Sequence, residues 1–183
     1  MVAQSWERPR DWFDTNASSF CELLQIITRC SSLERYIHFS TPEVYGSTMQ
    51  KIGEETSFNP TTPYAISRAA GDYLVRAYRN TYSLPSVITR ASNVYGPGQQ
   101  LYRLIPKAML MGITGGKFTL DGGGNSDRDF IHINDVCDAL MHIITTNTDA
   151  NEFHISTENQ IKISELIEII SQKVDCKLED FVE

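Results

Sequence analysis

A hydroxyl and a carboxylate stand two residues apart in the stretch Ser40-Thr41-Pro42-Glu43-Val44-Tyr45-Gly46. A phenol and a guanidinium stand one helical turn apart in Tyr64-Ala65-Ile66-Ser67-Arg68. Together these groups could move a proton on and off a substrate hydroxyl. A tyrosine with an ordinary pKa near 10 is a poor base at neutral pH. Bringing it to about 7 takes roughly 4 kcal/mol of preferential stabilisation of the phenolate. A cation at i+4, on the same helix face, is one source of that stabilisation. Thr41 could hydrogen-bond the same substrate oxygen. Glu43, two residues on and on the same side, could serve as a second acid or base. The same four residues also suit an ordinary surface pair, a strand-end hydroxyl and a solvated carboxylate, and the pattern alone leaves both readings open.

Other candidates stand singly. Arg90 and Arg128 each offer a guanidinium fork to a phosphate, and Asn93 lies close to the first; each also suits an ion pair. His38, His132, His142 and His154 have no metal-ligand spacing and read as core or sheet-face histidines, so no metal is expected. The glycine run Gly122-Gly123-Gly124-Asn125-Ser126-Asp127 lacks the third glycine of a phosphate fingerprint. It also leads toward a strand rather than a helix, so it reads as a turn.

Positioning these residues falls to alternating strands and helices. Apolar residues recur at helical spacing over 11–30 (Phe13, Ala17, Phe20, Leu24, Ile27), after an irregular lead-in over residues 1–10. Tyr36–Ser40 reads as a short buried strand, followed by a polar loop. Pro63 suits the start of a helix over 64–82, with Ile66, Ala70, Leu74 and Ala77 as its apolar stripe. Pro85–Ala91 reads as the next strand, which makes a parallel strand–helix–strand unit with a right-handed crossover. Asn93–Gln99 is then a loop at a strand's C-terminal end, where open α/β sheets bind ligands. Beyond it the pattern predicts a helix over 101–113, kinked or restarted at Pro106, and short strands at 117–121 and 128–133. A helix capped by Asn134, a strand over 152–156 and a helix over 163–174 capped by Ser164 complete the chain.

With 183 residues there is room for one domain, or one and a fraction; an apolar share of 41% argues against disorder. A net charge of -7 without long Lys or Arg runs argues against a nucleic-acid partner. No window approaches the roughly 18 apolar residues of a membrane span. Four widely spaced cysteines without a CxxC pair fit a reducing, cytoplasmic setting.

Taken in order, S-T-P-E-V-Y-G, T-P-Y-A-I-S-R-A-A-G-D-Y, R-A-S-N-V-Y-G-P-G-Q, L-I-P-K-A and R-D-F-I-H-I-N-D-V resemble the extended short-chain dehydrogenase/reductases. More narrowly, they resemble the NAD-dependent nucleotide-sugar epimerases and dehydratases of that family, over nearly the whole chain. The resemblance implies an α/β fold: the C-terminal part of a Rossmann-like doubly wound parallel sheet with a small α/β substrate-binding portion. The boundary is expected near residue 100, dividing 1–100 from 101–183. It implies transient oxidation of the sugar C4 hydroxyl, with NAD as cofactor and a nucleoside-diphosphate sugar as substrate. Tyr64 would be the base and Thr41 its hydrogen-bonding partner. Arg68 falls where the family has lysine, Glu43 matches the dehydratase glutamate, and Tyr64, Arg68 and Ser40 would meet the cofactor. Asn93, Arg128 and Arg90 would face the diphosphate. Helices 11–30 and 64–82 would form a homodimer bundle.

Three departures shape the expectation. Arg68 keeps the charge of lysine with a bulkier geometry. Pro42 stands where 4,6-dehydratases have an acid, and proline cannot protonate a leaving hydroxyl, whereas epimerisation or decarboxylation needs no acid there. No G-x-x-G-x-x-G follows a strand, so about the first 80 residues of a family member, the size of a βαβαβ half, are expected to be absent. The alternative is a non-catalytic module that binds a nucleotide sugar or pairs with another chain.

Overall fold

A computed structural model describes residues 4–48, 51–146 and 148–182. The chain forms two compact units, Met1–Ala91 with Leu140–Ile155, and Ser92–Ala139 with Ser156–Glu183.

The first unit is a parallel three-stranded sheet with helices on it. Strands β1 (Tyr36–Phe39), β2 (Ser86–Ala91) and β5 (Glu152–Ile155) lie in the order β1-β2-β5. Ile37 pairs with Val87, and Arg90 with His154. All six residues of β2 are buried, as expected of a central parallel strand covered on both faces. The expected α/β class therefore holds.

Helix α4 (Pro63–Tyr82) links β1 to β2. Thr62 caps it, its hydroxyl accepting the Ala65 N–H at 3.2 Å, and Pro63 sits at the first position, where no N–H is needed. The predicted apolar stripe is rotated by one residue. Ala65, Ala69, Asp72 and Val75 are buried, while Ile66 is exposed. The reason lies in packing on two sides: α4 meets the sheet on one face and the N-terminal helices on the next. At that second contact Gly71 has no side chain to spare, since a Cβ there would lie 3.1 Å from the Asn16 carbonyl oxygen.

The N-terminal helices begin earlier than the sequence suggests. Helix α1 (Gln4–Glu7) is followed by α2 (Pro9–Phe13), a π-helical segment Asp14–Ser19 and α3 (Phe20–Thr28). The lead-in is thus helical from Gln4; residues 1–3 lie outside the described ones. Leu24, Val75, Leu84 and Ile88 form the core between α3, α4 and β2, each buried side chain contributing about 1.5–3 kcal/mol.

The second unit is built on β3 (Asn93–Tyr95), β4 (Asp127–His132) and β6 (Gln160–Lys162), with β3 parallel and β6 antiparallel to β4. Residues 93–95, read as loop, are therefore a strand, and β6 is an element the sequence did not announce. The candidate strand over 117–121 reduces to a single bridge between Phe118 and Val182. Helix α5 (Leu104–Thr114) starts late enough that Pro106 falls in its first turn, so neither a kink nor a restart occurs. Helix α6 (Ile133–Thr145) begins before Asn134, whose backbone N–H is accepted by the His132 imidazole at 3.2 Å. Helix α7 (Ile163–Lys173) begins after Lys162 rather than being capped by Ser164, and a short α8 (Leu178–Phe181) follows. Ala108, Phe118, Ile167 and Ile170 form this unit's core.

Candidate functional site

The C-terminal end of β1 is where the reactive side chains gather. Sheet pairing continues one residue past the strand, the Ser40 N–H donating to the Thr89 carbonyl at 2.7 Å. Thr41 stays extended and its hydroxyl accepts the Glu43 N–H at 3.3 Å, capping a 3-10 turn over Pro42–Tyr45. Pro42 suits the turn's first position. Gly46 ends it at φ 71°, and a Cβ there would collide with the Asn59 carbonyl oxygen. Ser40 and Thr41 are buried; Glu43 is exposed.

Helix α4 carries Tyr64 and Arg68 in its first turns. Ala69 packs against Val44 and Tyr45 of the turn, which fixes the helix on the strand end. The Tyr64 ring stands edge-on to Trp12 with centroids 5.1 Å apart. Among the described residues its phenol has no hydrogen-bond partner. Arg68 donates to the Phe39 carbonyl at the end of β1, so its guanidinium reaches the strand rather than pointing to solvent. Ser40, Thr41, Glu43, Tyr64 and Arg68 thus belong to one unit, and Arg68 reaches the end of β1.

Beneath this end lies a charged network that reading the residues singly did not find. Asp72 and Arg90 are fully buried and paired, Arg90 Nη2 lying 2.7 Å and Nε 3.2 Å from Asp72 Oδ2. Arg90 Nη1 also donates to Glu152 at 2.9 Å and to the Tyr45 hydroxyl at 3.0 Å. Arg76 forms a two-pronged pair with Glu152, at 2.7 and 2.8 Å. Burial pushes the Asp72 carboxyl up, but its neighbours His38, Ser40 and Arg90 outweigh that and hold it below the usual range. His38 Nε2 lies 3.3 Å from Asp72 Oδ1, and His38 and Ser40 act on the carboxyl as side-chain hydrogen-bonding neighbours. Glu152 is also held low, burial being outweighed by Arg76 and Arg90.

This network corrects the reading of Arg90 as a phosphate contact. Its guanidinium is wholly enclosed and engaged by two carboxylates and a phenol. The signal was present in the sequence. A charge in the middle of S-V-I-T-R-A, a strand buried on both faces, needs a buried partner of opposite sign.

In the second unit Asn93 and Arg128 share a sheet face. Asn93 pairs with Phe130, and Arg128 lies two residues earlier on β4, hence on the same side. Asn93 donates to the Asp129 carbonyl at 2.9 Å. Arg128 is exposed and makes no ion pair among the described residues.

The glycine run forms a tight turn over Asp121–Gly124, as expected. A Cβ on Gly124 would lie 2.9 Å from the Ser164 backbone nitrogen. That glycine therefore admits close packing against the start of α7, not a phosphate.

A family model described as GDP-mannose 4,6 dehydratase matches residues 1–182. The chain belongs to that family. It therefore sits among the NAD-dependent epimerases and dehydratases, as its motifs led us to expect. The dTDP-glucose 4,6-dehydratase of Escherichia coli is 34% identical over 152 residues, which are 77% of this chain and 42% of that protein. The mouse dTDP-D-glucose 4,6-dehydratase is 35% identical over 147 residues, 78% of this chain and 41% of that one. A solved dTDP-glucose 4,6-dehydratase from Bacillus anthracis, in complex with NAD, superposes with a TM-score of 0.88 at 32% identity. It covers 93% of this chain and 55% of that one. The UDP-glucuronic acid 4-epimerase of Bacillus cereus shares the fold, with a TM-score of 0.93 at 23% identity. The chain spans about half the length of the relatives it matches.

Proposed function

We propose that this chain carries the catalytic strand, catalytic helix and part of the substrate site of an NAD-dependent nucleotide-sugar epimerase/dehydratase. The observation that carries this is the pairing of buried Thr41, at the end of β1, with α4, whose first turns present Tyr64 and send Arg68 to the Phe39 carbonyl. Tyr64, with a free phenol, takes the proton from the sugar hydroxyl, and Thr41 holds the same oxygen in place. Arg68 supplies positive charge one turn from the phenolate. Exposed Glu43 moves a second proton on the sugar. Pro42 offers no acid to a leaving hydroxyl, which favours epimerisation or decarboxylation over dehydration.

Tyr64, Arg68 and Ser40 fit in type the nicotinamide-ribose end of NAD, which when bound accepts the hydride. Among the described residues the one glycine run is a tight turn between Leu120 and a strand, with Gly124 packed against the start of α7, and it does not have the strand-to-helix setting of a pyrophosphate cradle. Asn93 and Arg128, on one face of the second sheet, are proposed to hold the sugar's diphosphate. We place the protein in the cytoplasm, in keeping with its four unpaired thiols.

We also propose a homodimer through the N-terminal helices and α4. Leu23 and Ile26 on α3 and Ile66, Tyr73 and Tyr82 on α4 are exposed apolar residues of the kind such a bundle covers. A second reading, a non-catalytic module, draws support from the engagement of Arg68 with a backbone carbonyl. Calorimetric titration with dTDP-glucose and UDP-glucose tests the substrate assignment. Binding that weakens roughly tenfold or more in Arg128→Ala supports it, because hydrogen bonds to charged groups are worth about 1.5–3 kcal/mol. No binding of either sugar nucleotide contradicts it.

A further inference from the structure

Tyr45 closes the turn that carries Glu43, and its phenol is gripped from two sides. Arg90 Nη1 donates to the phenol oxygen at 3.0 Å, and that oxygen lies 2.8 Å from His154 Nε2. A guanidinium has no acceptor, so the phenol's own proton is left for His154. This assigns His154 the neutral tautomer with its proton on Nδ1. The surroundings agree: burial, opposed by Glu54 and seconded by Arg90, holds this imidazole below its ordinary range. Glu152 also faces it, and the Glu54 carboxylate accepts the His154 backbone N–H at 2.8 Å.

The backbone ties of the turn are mixed: Glu43 N to Thr41 Oγ1 at 3.3 Å and Val44 N to Thr41 O at 3.4 Å are long, while Gly46 N to Glu43 O at 3.1 Å and Asn59 N to Val44 O at 2.9 Å are ordinary. Single 3-10 turns have poor hydrogen-bond geometry in any case. The stronger anchor is the side chain of Tyr45, 3% exposed and packed edge-on against Phe58 and His154.

We propose that Tyr45 is a positioning residue: the chain Arg90–Tyr45–His154 fixes the Pro42–Tyr45 turn, and through it the Thr41 hydroxyl and the Glu43 carboxylate. The functional half of this inference rests on the nucleotide-sugar reading above; the structural half does not.

Tyr45→Phe keeps the ring packing and deletes only the hydroxyl. In the histidine-labelled chain, two-bond proton–nitrogen correlation should show a single Nδ1–H tautomer for His154 in the wild type and a mixture in the variant. Amide exchange at Glu43 and Gly46 should accelerate roughly tenfold, the scale of one lost hydrogen bond, while β2 amides stay unchanged. His154→Phe removes the acceptor from the other side and should accelerate the same amides. A general loss of stability would speed exchange everywhere and leave the tautomer alone. An unchanged His154 tautomer, or unchanged exchange at Glu43 and Gly46 in both variants, overturns the proposal. In a fusion to a relative's Gly-rich half, Tyr45→Phe should lower kcat with KM for the sugar unchanged. A wild type that turns over no sugar nucleotide counts against the nucleotide-sugar reading, while the tautomer and exchange results stand independently of it.

Discussion

Arg90 and Asp72 form a two-pronged ion pair, at 2.7 and 3.2 Å, with both side chains wholly buried. The pair joins α4 to the middle strand of the sheet, directly under the strand end that carries Ser40 and Thr41. A buried pair need not add net stability, because both ions are desolvated; removing one partner, however, strands the other. Arg90→Met should therefore cost about 3–5 kcal/mol, seen as a lower urea midpoint with an unchanged slope. A cost within that of an ordinary surface substitution would remove the network from the account.

Acid should weaken the fold, and the signs agree for three groups. Asp72 and Glu152 have folded pKa values below their unfolded ones, so their contribution is present above the unfolded values and lost as pH falls through the folded ones. His154 is also held low, so the unfolded chain takes up its proton first. Stability then falls as pH drops below the ordinary histidine value of about 6.5. Melting temperature should decline steadily from pH 7 to pH 4, and His154→Gln should flatten the upper part of that decline. A flat profile would speak against all three assignments.

Two glycines in the left-handed region should respond differently to alanine. Gly46 combines φ 71° with a clash against the Asn59 carbonyl, while Gly98, at φ 78°, has nothing within reach. Gly98→Ala should cost about 1 kcal/mol; Gly46→Ala should cost at least the upper end of the roughly 1–3 kcal/mol range for strained backbone. Equal costs in chemical denaturation would contradict the close packing described at Gly46.

Arg68→Lys tests the geometry of the cation. Lysine lacks the planar fork that reaches the Phe39 carbonyl, and it places a compact charge on a flexible stem. In a fusion to a relative's Gly-rich half, the rate should rise, with stability changed by no more than about 1 kcal/mol. An unchanged rate would mean that charge alone suffices at this position.

The elements around the site were readable because their signals are local. Pro63 marks the start of α4, and Tyr36–Ser40 is a short strand-like run, so the neighbours of Thr41, Tyr64 and Arg68 in sequence place them. What escaped depends on distant partners. Asp72 reads as one acid in a polar helix until Arg90, eighteen residues on, is known to face it. Read alone, Arg90 suits a phosphate or an ion pair equally. The stripe on α4 was misplaced for the same reason: Gly71 and Ser67 are buried by α2–α3 and Asp72 by β2, contacts that no helical period encodes. Residues 117–121 have strand composition, yet only Phe118 finds a bridge. The tie of Tyr45 to His154 spans more than a hundred residues.

The most direct test of the central claim joins the wild-type chain, or its Tyr64→Phe variant, to a relative's Gly-rich N-terminal half and supplies NAD with dTDP-glucose or UDP-glucose. The wild type should turn the sugar nucleotide over, the nicotinamide being reduced only transiently. The variant should lose roughly a hundredfold or more of that turnover, the scale of a missing general base, with sugar-nucleotide affinity retained. Turnover that survives in Tyr64→Phe, or its absence in a folded wild-type assembly that binds both ligands, would contradict it.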